Sequence, residues 1–212
     1  MLQIKSFTFN PVQENTYIIY HSSGECAIID PGCYYDAEKD ALAAFIKQNG
    51  LSPVLLVNTH CHLDHVFGNK FVAETWKLPL HLHPLEEQLL EMAAASGLMY
   101  NLPFDNYSGE LIFINPGEKL KLKDEELEII FTPGHSPGSL SFYSTTSGFV
   151  ISGDALFAGS IGRTDLPGGD HEQLLESIKS QLLVLPDETV VYSGHGPATT
   201  VGRERSENPF LI

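Results

Sequence analysis

The apolar residues of this chain fall in short runs that are separated by Gly, Pro, Asn and Asp. Runs of this length with turn residues at both ends are typical of β-strands. The run at 53–58 is apolar almost without interruption, which indicates a strand buried on both faces. Nine runs are predicted to be strands: residues 2–9, 16–21, 25–30, 53–58, 120–122, 127–131, 140–144, 149–152 and 189–192.

Four other segments carry apolar residues at helical spacing. Asp36 is predicted to cap the first of these helices, and residues 66–77 carry mixed helical signals. Residues 85–96 are predicted to form a helix that ends at Gly97, since glycine favours the position after a helix. Asp170 is predicted to open the fourth helix, because a polar residue three positions later completes a capping-box pattern.

The order of these elements is strands, helices, strands, helices, in two similar halves. Residues 99–117 show little periodicity and are predicted to form a surface loop. A sheet or helix with one apolar face must bury that face against another layer. The order therefore predicts an α/β fold in which two sheets pack together with helices outside them.

The length and composition bound the number of domains. The chain has 212 residues, of which 42% are hydrophobic. This length fits one large domain better than two small ones, and the apolar content suffices for a sizeable core. A single domain spanning residues 1–212 is expected.

The net charge limits the classes of partner. There are 12 basic and 27 acidic residues, which gives a formal charge of −15. Such a surface repels nucleic-acid phosphates and anionic lipid headgroups. We expect a small-molecule substrate, no nucleic acid and no membrane, and the sequence leaves a homodimer open.

Cysteine usage and the first residues bear on the compartment. The chain has three cysteines. A small, odd number of cysteines does not indicate a disulfide framework. The chain starts with a β-prone run and not with a basic segment followed by a long apolar one. We therefore expect a cytoplasmic protein.

Candidate chemistry is concentrated directly after the predicted strand at 53–58. His60, His62, Asp64 and His65 lie within six positions. Residues two apart in an extended segment project to the same side. Imidazole and carboxylate groups are the usual ligands of first-row metals, so this run predicts a metal site.

Three further ligand-type residues follow other predicted strands and have glycine beside them. They are His135, Asp154 and His195. A catalytic zinc ion usually takes three protein ligands, so seven are more than one metal needs. The sequence therefore predicts two divalent metal ions with Asp154 as the bridging carboxylate.

These motifs together resemble the metallo-β-lactamase superfamily. They are Thr-His-x-His-x-Asp-His at 59–65, Pro-Gly-His at 133–135, Gly-Asp at 153–154 and Gly-His-Gly at 194–196. The resemblance runs from about Tyr17 to His195 and implies a four-layer αββα sandwich.

The resemblance also implies a ligand assignment. His60, His62 and His135 would hold the first metal; Asp64, His65 and His195 would hold the second, and Asp154 would bridge. Asp30 resembles the carboxylate that supports the ligand loops in this family, and Thr59 is expected to act with it. The alternative for Asp30 is an ordinary turn aspartate. Zinc is the expected metal, with iron and manganese as alternatives.

Within the superfamily, Asp154 and the segment 159–165 resemble the glyoxalase II branch. The implied activity is thioester hydrolysis, in which metal-bound hydroxide attacks a thioester such as S-lactoylglutathione and Asp64 helps to orient it. Class B β-lactamases typically lack an equivalent of His65, so that activity is not expected. The chain is similar to the short, single-domain bacterial type, without the C-terminal helical region that binds glutathione, which leaves the thiol moiety open.

Two other activities stay open. A persulfide dioxygenase would use a single iron on residues matching His60, His135 and Asp154, but residues 166–171 are more similar to the short hydrolases. A lactonase would share the two-metal site. For Arg163, binding an anionic substrate group and pairing with Asp165 are equally supported. 

Cys61 lies between two predicted ligands. It should point away from them in an extended segment, so a packing role is favoured over ligation or nucleophilic attack.

Overall fold

A computed structural model describes residues 1–212 and contains two six-stranded sheets. The strands of the first sheet lie side by side in sequence order. The first two pairs of neighbouring strands are antiparallel, and the remaining three pairs are parallel. They are β1 (Gln3–Phe9), β2 (Glu14–Tyr20), β3 (Glu25–Ile29), β4 (Ser52–Val57), β5 (Leu80–Leu82) and β6 (Leu111–Phe113).

The second half of the chain forms the second sheet and a small hairpin. Its strands are β7 (Lys119–Leu122), β8 (Glu125–Phe131), β9 (Leu140–Ser144), β10 (Phe149–Gly153), the hairpin pair β11 (Leu156–Phe157) and β12 (Ser160–Ile161), then β13 (Val190–Ser193) and β14 (Thr199–Thr200). The sheet order is β14-β13-β10-β9-β8-β7, and only β10 and β13 pair in parallel.

Six α-helices connect the strands. They are α1 (Asp36–Gln48), α2 (Leu63–Val66), α3 (Asn69–Trp76), α4 (Glu87–Met99), α5 (His171–Ser177) and α6 (Val201–Glu207). A 3₁₀ turn (Pro84–Glu86) precedes α4, and a π-helical turn (Ile178–Leu182) continues α5. None of these helices is long and apolar enough to cross a lipid bilayer.

Alternation along the buried strands divides the core into three clusters. In β2, Ile19 faces the second sheet while Ile18 faces the helices that cover the first sheet. The cluster between the sheets also contains Phe142 and Ile151 of the second sheet. A third cluster packs α5 and α6 on the outer face of the second sheet. Because successive strand residues face opposite ways, each sheet buries both faces, and the four-layer αββα arrangement is confirmed.

Three local predictions are wrong. Residues 111–113 form the edge strand β6 inside the segment predicted to be a loop. The backbone of this short strand pairs with β5 although its own side chains show no alternation of apolar and polar residues. Gly97 lies inside α4, where a Cβ would stand 2.6 Å from the carbonyl oxygen of Leu102, so close packing and not helix termination requires glycine there. Asp36 is the first residue of α1, whose N-cap is Tyr35.

Candidate metal centre

The seven predicted ligands meet at one edge of the sandwich, where four strands end. His60, His62, Asp64 and His65 follow β4 of the first sheet. The other three follow strands of the second sheet: His135 follows β8, Asp154 follows β10 and His195 follows β13. The centre therefore takes side chains from both sheets.

The first group comprises the three histidines of the first predicted site. His135 Nε2 lies 2.8 Å from His62 Nδ1 and 3.2 Å from His60 Nε2. One nitrogen from each ring lies within 4.8 Å of the others, a spacing at which one ion can contact all three. Three imidazoles with an open side are the usual protein part of a catalytic zinc site.

The second group comprises Asp64, His65 and His195, whose ligand atoms also lie within 4.8 Å of one another. His195 Nε2 is 3.1 Å from Asp64 Oδ2, and His65 Nε2 is 3.7 Å from the same oxygen. The side chain of His65 is fully buried, whereas that of His195 is 28% exposed. The second group therefore opens to solvent on the His195 side.

Asp154 lies between the two groups. Its Oδ1 is 3.5 Å from His65 Nε2, and its Oδ2 is 3.5 Å from His135 Nε2 and from His195 Nε2. One carboxylate thus faces nitrogens of both groups, which is the position a bridging ligand needs.

Asp30 supports the loop that follows β4. Its Oδ1 accepts hydrogen bonds from the backbone N–H of Thr59 at 2.7 Å and from Asn58 Nδ2 at 3.2 Å. Its Oδ2 accepts from Thr59 Oγ1 at 2.5 Å and faces His65 Nδ1 at 3.1 Å. Because Thr59 Oγ1 donates to Asp30, it accepts from His60 Nδ1, which lies 3.0 Å away. Asp30 and Thr59 together leave the Nε2 atoms of His60 and His65 free for a metal.

Backbone carbonyls orient two further ligands in the same way. His135 Nδ1 donates to the carbonyl oxygen of Arg163 at 2.7 Å, and His195 Nδ1 donates to that of Gln13 at 3.1 Å. A carbonyl oxygen only accepts, so the proton sits on Nδ1 and Nε2 keeps its lone pair. Both rings are therefore held in the tautomer that can bind metal.

Burial and charge set the protonation of the histidines in the two groups differently. Burial lowers the pKa of His62 to about 4 and also holds the pKa of His60 well below its ordinary value, so both rings are neutral at pH 7. Burial acts in the same direction on His65, but the carboxylates of Asp154 and Asp64 raise its pKa well above the ordinary value. Without metal, the second group therefore carries a positive charge among its carboxylates.

The same charges act on the acidic ligands. Burial works to raise the pKa values of Asp64 and Asp154, but the neighbouring histidines, His65 foremost, together outweigh it and lower both. Two carboxylates are thus ionised at neutral pH, as ligation requires.

Two buried atoms in the centre test whether a metal fits. His65 Nε2 and Asp154 Oδ1 have no hydrogen-bond partner. Buried polar atoms in folded proteins are almost always paired, and an unpaired one calls for an ion or a water. Since both atoms face the space between the ligand groups, the donor set fits divalent cations.

Arg163 and Cys61 have roles other than ligation. The Arg163 guanidinium makes two 2.7 Å hydrogen bonds to the carboxylate of Asp165, so the structure shows the pairing alternative, while its carbonyl orients His135. The Cys61 side chain packs in the core cluster under the first sheet, and burial raises the pKa of its thiol. It is neutral at pH 7 and turned away from the metal groups, as its spacing predicts.

Several buried polar residues around the centre are not predicted by any motif. Asn15 of β2 donates through Nδ2 to the carbonyls of Ser193 and Gly196 at 3.0 and 2.8 Å, which ties the His195 loop to the first sheet. Glu14 is fully buried, with Oε1 4.0 Å from His65 Nδ1. The signal in the sequence is three polar residues, 14–16, at the start of an otherwise apolar strand.

Comparison with known proteins agrees with this geometry. Residues 9–195 match the family model of the metallo-beta-lactamase superfamily. A probable metallo-hydrolase, YqgX of Bacillus subtilis, is 43% identical over 95% of this chain and 93% of its own length. A hydroxyacylglutathione hydrolase, GloC of Haemophilus influenzae, is 37% identical over 99% of this chain and 98% of its own length.

Two solved structures superpose over nearly all of both chains. The BLEG-1 B3 metallo-beta-lactamase has a TM-score of 0.91 at 39% identity and covers 99% of this chain and 100% of its own. TTHA1623 in a di-iron-bound form has a TM-score of 0.88 at 39% identity and covers 98% of this chain and 100% of its own. The chain therefore belongs to the metallo-beta-lactamase superfamily, whose histidine and aspartate metal-binding residues it carries at the edge of the sandwich.

Proposed function

We propose that this protein is a thioester hydrolase of glyoxalase II type that uses two divalent cations. The observation that carries the proposal is the position of Asp154, whose two carboxylate oxygens face ligand nitrogens of both groups at 3.5 Å. The similarity to a hydroxyacylglutathione hydrolase over 98% of that protein supports the substrate class. Zinc is the proposed metal; the di-iron form of TTHA1623 supports iron as the alternative.

The residues present divide the proposed chemistry between them. A pair of bound cations would supply Lewis acidity, which lowers the pKa of a water toward about 7 and stabilises negative charge on a carbonyl oxygen. The first ligand group offers three imidazoles, the second offers two imidazoles and a carboxylate, and Asp154 would fix their separation. The burial of His60 and His65 keeps water out of the inner side of the centre.

Asp64 is the proposed orienting residue for the attacking water. Its carboxylate is ionised, 15% exposed and 3.1 Å from His195 Nε2. One of its oxygens can therefore accept a hydrogen bond from a water on the open side of the centre. Because the attacking group is water, no serine or cysteine nucleophile is required. The Cys61 thiol is buried away from the site.

A substrate panel on metal-quantified protein tests the proposal. It comprises several thioesters including S-lactoylglutathione, a lactone, and a glutathione persulfide assayed by oxygen uptake. We expect thioester hydrolysis with two metals per chain. One iron per chain with rapid oxygen uptake would instead establish a dioxygenase, and lactone turnover without thioester turnover would establish a lactonase.

Amide hydrolysis of β-lactams is the second candidate. It is favoured by the 39% identity with the B3 metallo-beta-lactamase over the whole of that chain. A chromogenic cephalosporin in the same panel measures it. Turnover of the cephalosporin at a higher kcat/KM than every thioester would reverse the order of the two candidates.

The Asp154→Ala change tests the bridging position. Removal of the carboxylate leaves His65 Nε2 and His135 Nε2 without their common neighbour, so we expect metal content to fall from two per chain and kcat to fall at least about 100-fold. Asp165→Ala is the matched control, because that exposed carboxylate contacts only Arg163 nearby. Full activity in Asp154→Ala would refute the bridge.

A further inference from the structure

Glu86 is a buried carboxylate close to the metal centre that no motif or ligand group includes. It ends the 3₁₀ turn before α4 and is completely inaccessible to solvent. Burying an ionised carboxylate is costly unless several donors compensate it. Burial accordingly raises the pKa of Glu86, although the hydrogen bonds that it accepts oppose this effect. Its partners indicate what it does in the fold.

The hydrogen bonds of Glu86 reach two different loops. Oε2 accepts the backbone N–H of Cys61 at 2.7 Å. Oε1 accepts the backbone N–H of Gly138 at 2.6 Å and a short hydrogen bond from the hydroxyl of Ser136. Each carboxylate oxygen is thus assigned to one loop, and all three donors lie in the loops that follow β4 and β8.

Two of the three donors are chain neighbours of ligands in the first group. Cys61 lies between His60 and His62, and Ser136 follows His135 directly. These are the two loops whose imidazole nitrogens meet at 2.8 and 3.2 Å. No comparable contact joins Glu86 to Asp64, His65 or His195.

Close packing shows that the contact is specific. A Cβ on Gly138 would stand 2.8 Å from Glu86 Cγ and 2.9 Å from Oε1, so the loop approaches the carboxylate as closely as glycine allows. Shortening or neutralising the side chain would leave buried N–H groups without an acceptor, and the loops would have to move to recover partners.

We propose that Glu86 is a positioning residue of the first metal site, where it holds the loops of His60, His62 and His135 at the separation that ligation needs. This inference rests on the two-site part of the proposed function and is independent of the substrate. It assigns to Glu86 a larger effect on the first site than on the second, because its contact with the loop after β4 lies at Cys61, between two ligands of the first site. A merely structural role would not distinguish the two sites.

Glu86→Gln tests the inference, and Glu87→Gln is the matched control because it makes the same change at the adjacent exposed position. Cobalt(II) affinity is measured by calorimetry in two backgrounds. The His195→Ala background impairs the second group, so it reports on the first group. The His62→Ala background impairs the first group, so it reports on the second group.

In the His195→Ala background, Glu86→Gln is expected to weaken cobalt binding about 10- to 100-fold, the usual effect of losing a group that orients metal ligands. In the His62→Ala background the affinity is expected to change by less than about twofold, because Glu86 makes no hydrogen bond to a residue of the second group. The cobalt absorption spectrum should change only in the first case, and Glu87→Gln should match its parent in both.

Other outcomes would overturn the inference. Unchanged affinity in the His195→Ala background, or equal weakening in both backgrounds together with a lower stability of the metal-free protein, would leave Glu86 with a structural role only. If Glu86→Gln does not fold, Ser136→Ala carries the test, since it removes one donor of the three: weaker binding at the first site supports the inference and unchanged binding refutes it.

No thioester is used, so an inactive hydrolase would not affect the result, and one cobalt per unmodified chain would contradict the two-metal proposal instead.

Discussion

Gly194 shows how a residue without a ligand atom limits the metal centre. A Cβ at this position would stand 2.0 Å from Asp154 Oδ1 and 2.7 Å from His65 Cε1. Both distances are far below van der Waals contact, and neither neighbour is the end of a long, flexible side chain. The Asp154 carboxylate and the second group can therefore approach each other only because residue 194 has no side chain.

Gly194→Ala is accordingly expected to displace Asp154 or His65, with loss of at least one bound metal and most of the activity. Metal content and thioester turnover measure the effect. Gly196→Ala is the control: its φ of +74° makes alanine strained, but no atom lies within 4 Å of the added Cβ. It should cost about 1–2 kcal/mol of stability and leave the metal content unchanged. Two metals in Gly194→Ala would contradict the steric argument.

The pKa values of two histidines, His65 and His195, affect how the centre binds metal. The carboxylates of Asp154 and Asp64 outweigh burial and raise the pKa of His65, and a hydrogen bond with Asp64 contributes to the raised pKa of His195 against the effect of burial. Ligation needs the lone pair on Nε2. A metal must therefore displace a proton that the His65 ring holds at pH 7.

Metal binding is expected to release at least one proton at pH 7, which calorimetry in two buffers with different ionisation enthalpies would measure. The raised pKa of His65 stabilises the metal-free protein below about pH 6.5, the unfolded value, and this contribution is lost as the pH rises through the folded value. As the pH rises above about 6.5, metal affinity should therefore rise while this contribution to the stability of the metal-free protein falls. Heats that do not depend on the buffer would exclude the proton release.

At the scale of elements, α6 is joined to the β11–β12 hairpin by one buried carboxylate. Glu204 Oε2 accepts the backbone N–H of Gly159 and Asn208 Nδ2, both at 2.8 Å, and Oε1 accepts Thr199 Oγ1 at 2.5 Å. The hairpin leads directly into Arg163, whose carbonyl orients His135. The last helix thus supports a ligand through the hairpin.

Glu204→Ala removes the acceptor of the Gly159 N–H and of the Thr199 hydroxyl, together with one of the two acceptors of Asn208 Nδ2. It is expected to cost about 2–3 kcal/mol of the free energy of unfolding. Glu207→Ala removes an exposed i, i+4 partner of Arg203 on the same helix and should cost less than about 0.5 kcal/mol. Urea denaturation of both variants measures the difference. Equal effects would show that the carboxylate of Glu204 does not join the two elements.

At the scale of the whole molecule, the metal centre connects the two sheets. The first sheet supplies four ligands after β4, and the second supplies three after β8, β10 and β13. Asn15 and Tyr17 of β2 add hydrogen bonds to the His195 loop, with Tyr17 Oη donating to the Ser193 carbonyl at 2.6 Å. Bound metal should therefore stabilise the sandwich as a unit.

Metal at about 1,000 times its dissociation constant is expected to add about 4 kcal/mol to the free energy of unfolding, because it binds the folded chain alone. Hydrogen exchange with and without a chelator would show whether both sheets gain protection. Protection of the amides in β4 but not in β10 and β13 would mean that the ligands act on one sheet only.

The sequence by itself determined the composition of the candidate site. Ligand-type residues at strand ends are recognisable because the chemistry needs particular side chains, and β-prone runs locate the ends. The same runs determined the layers, because a strand such as 149–152 that is apolar on both faces must be covered on both. Short parallel strands such as β5 and β6 carry no such signal, since their pairing depends on a neighbour far along the chain.

Apart from Asp30 and Thr59, which the family resemblance implies, only the tertiary structure decided which residues support the ligands. Two of these residues, Glu14 and Asn15, precede His60 by 46 and 45 positions, and Glu86 follows it by 26. Nothing local in the sequence marks them as parts of one centre. Their role follows from burial: a polar side chain without water must find partners, and here the available partners are the ligand loops. The sequence thus specifies the groups that can bind metal, whereas the packing of two sheets specifies their separation, their tautomers and their charge.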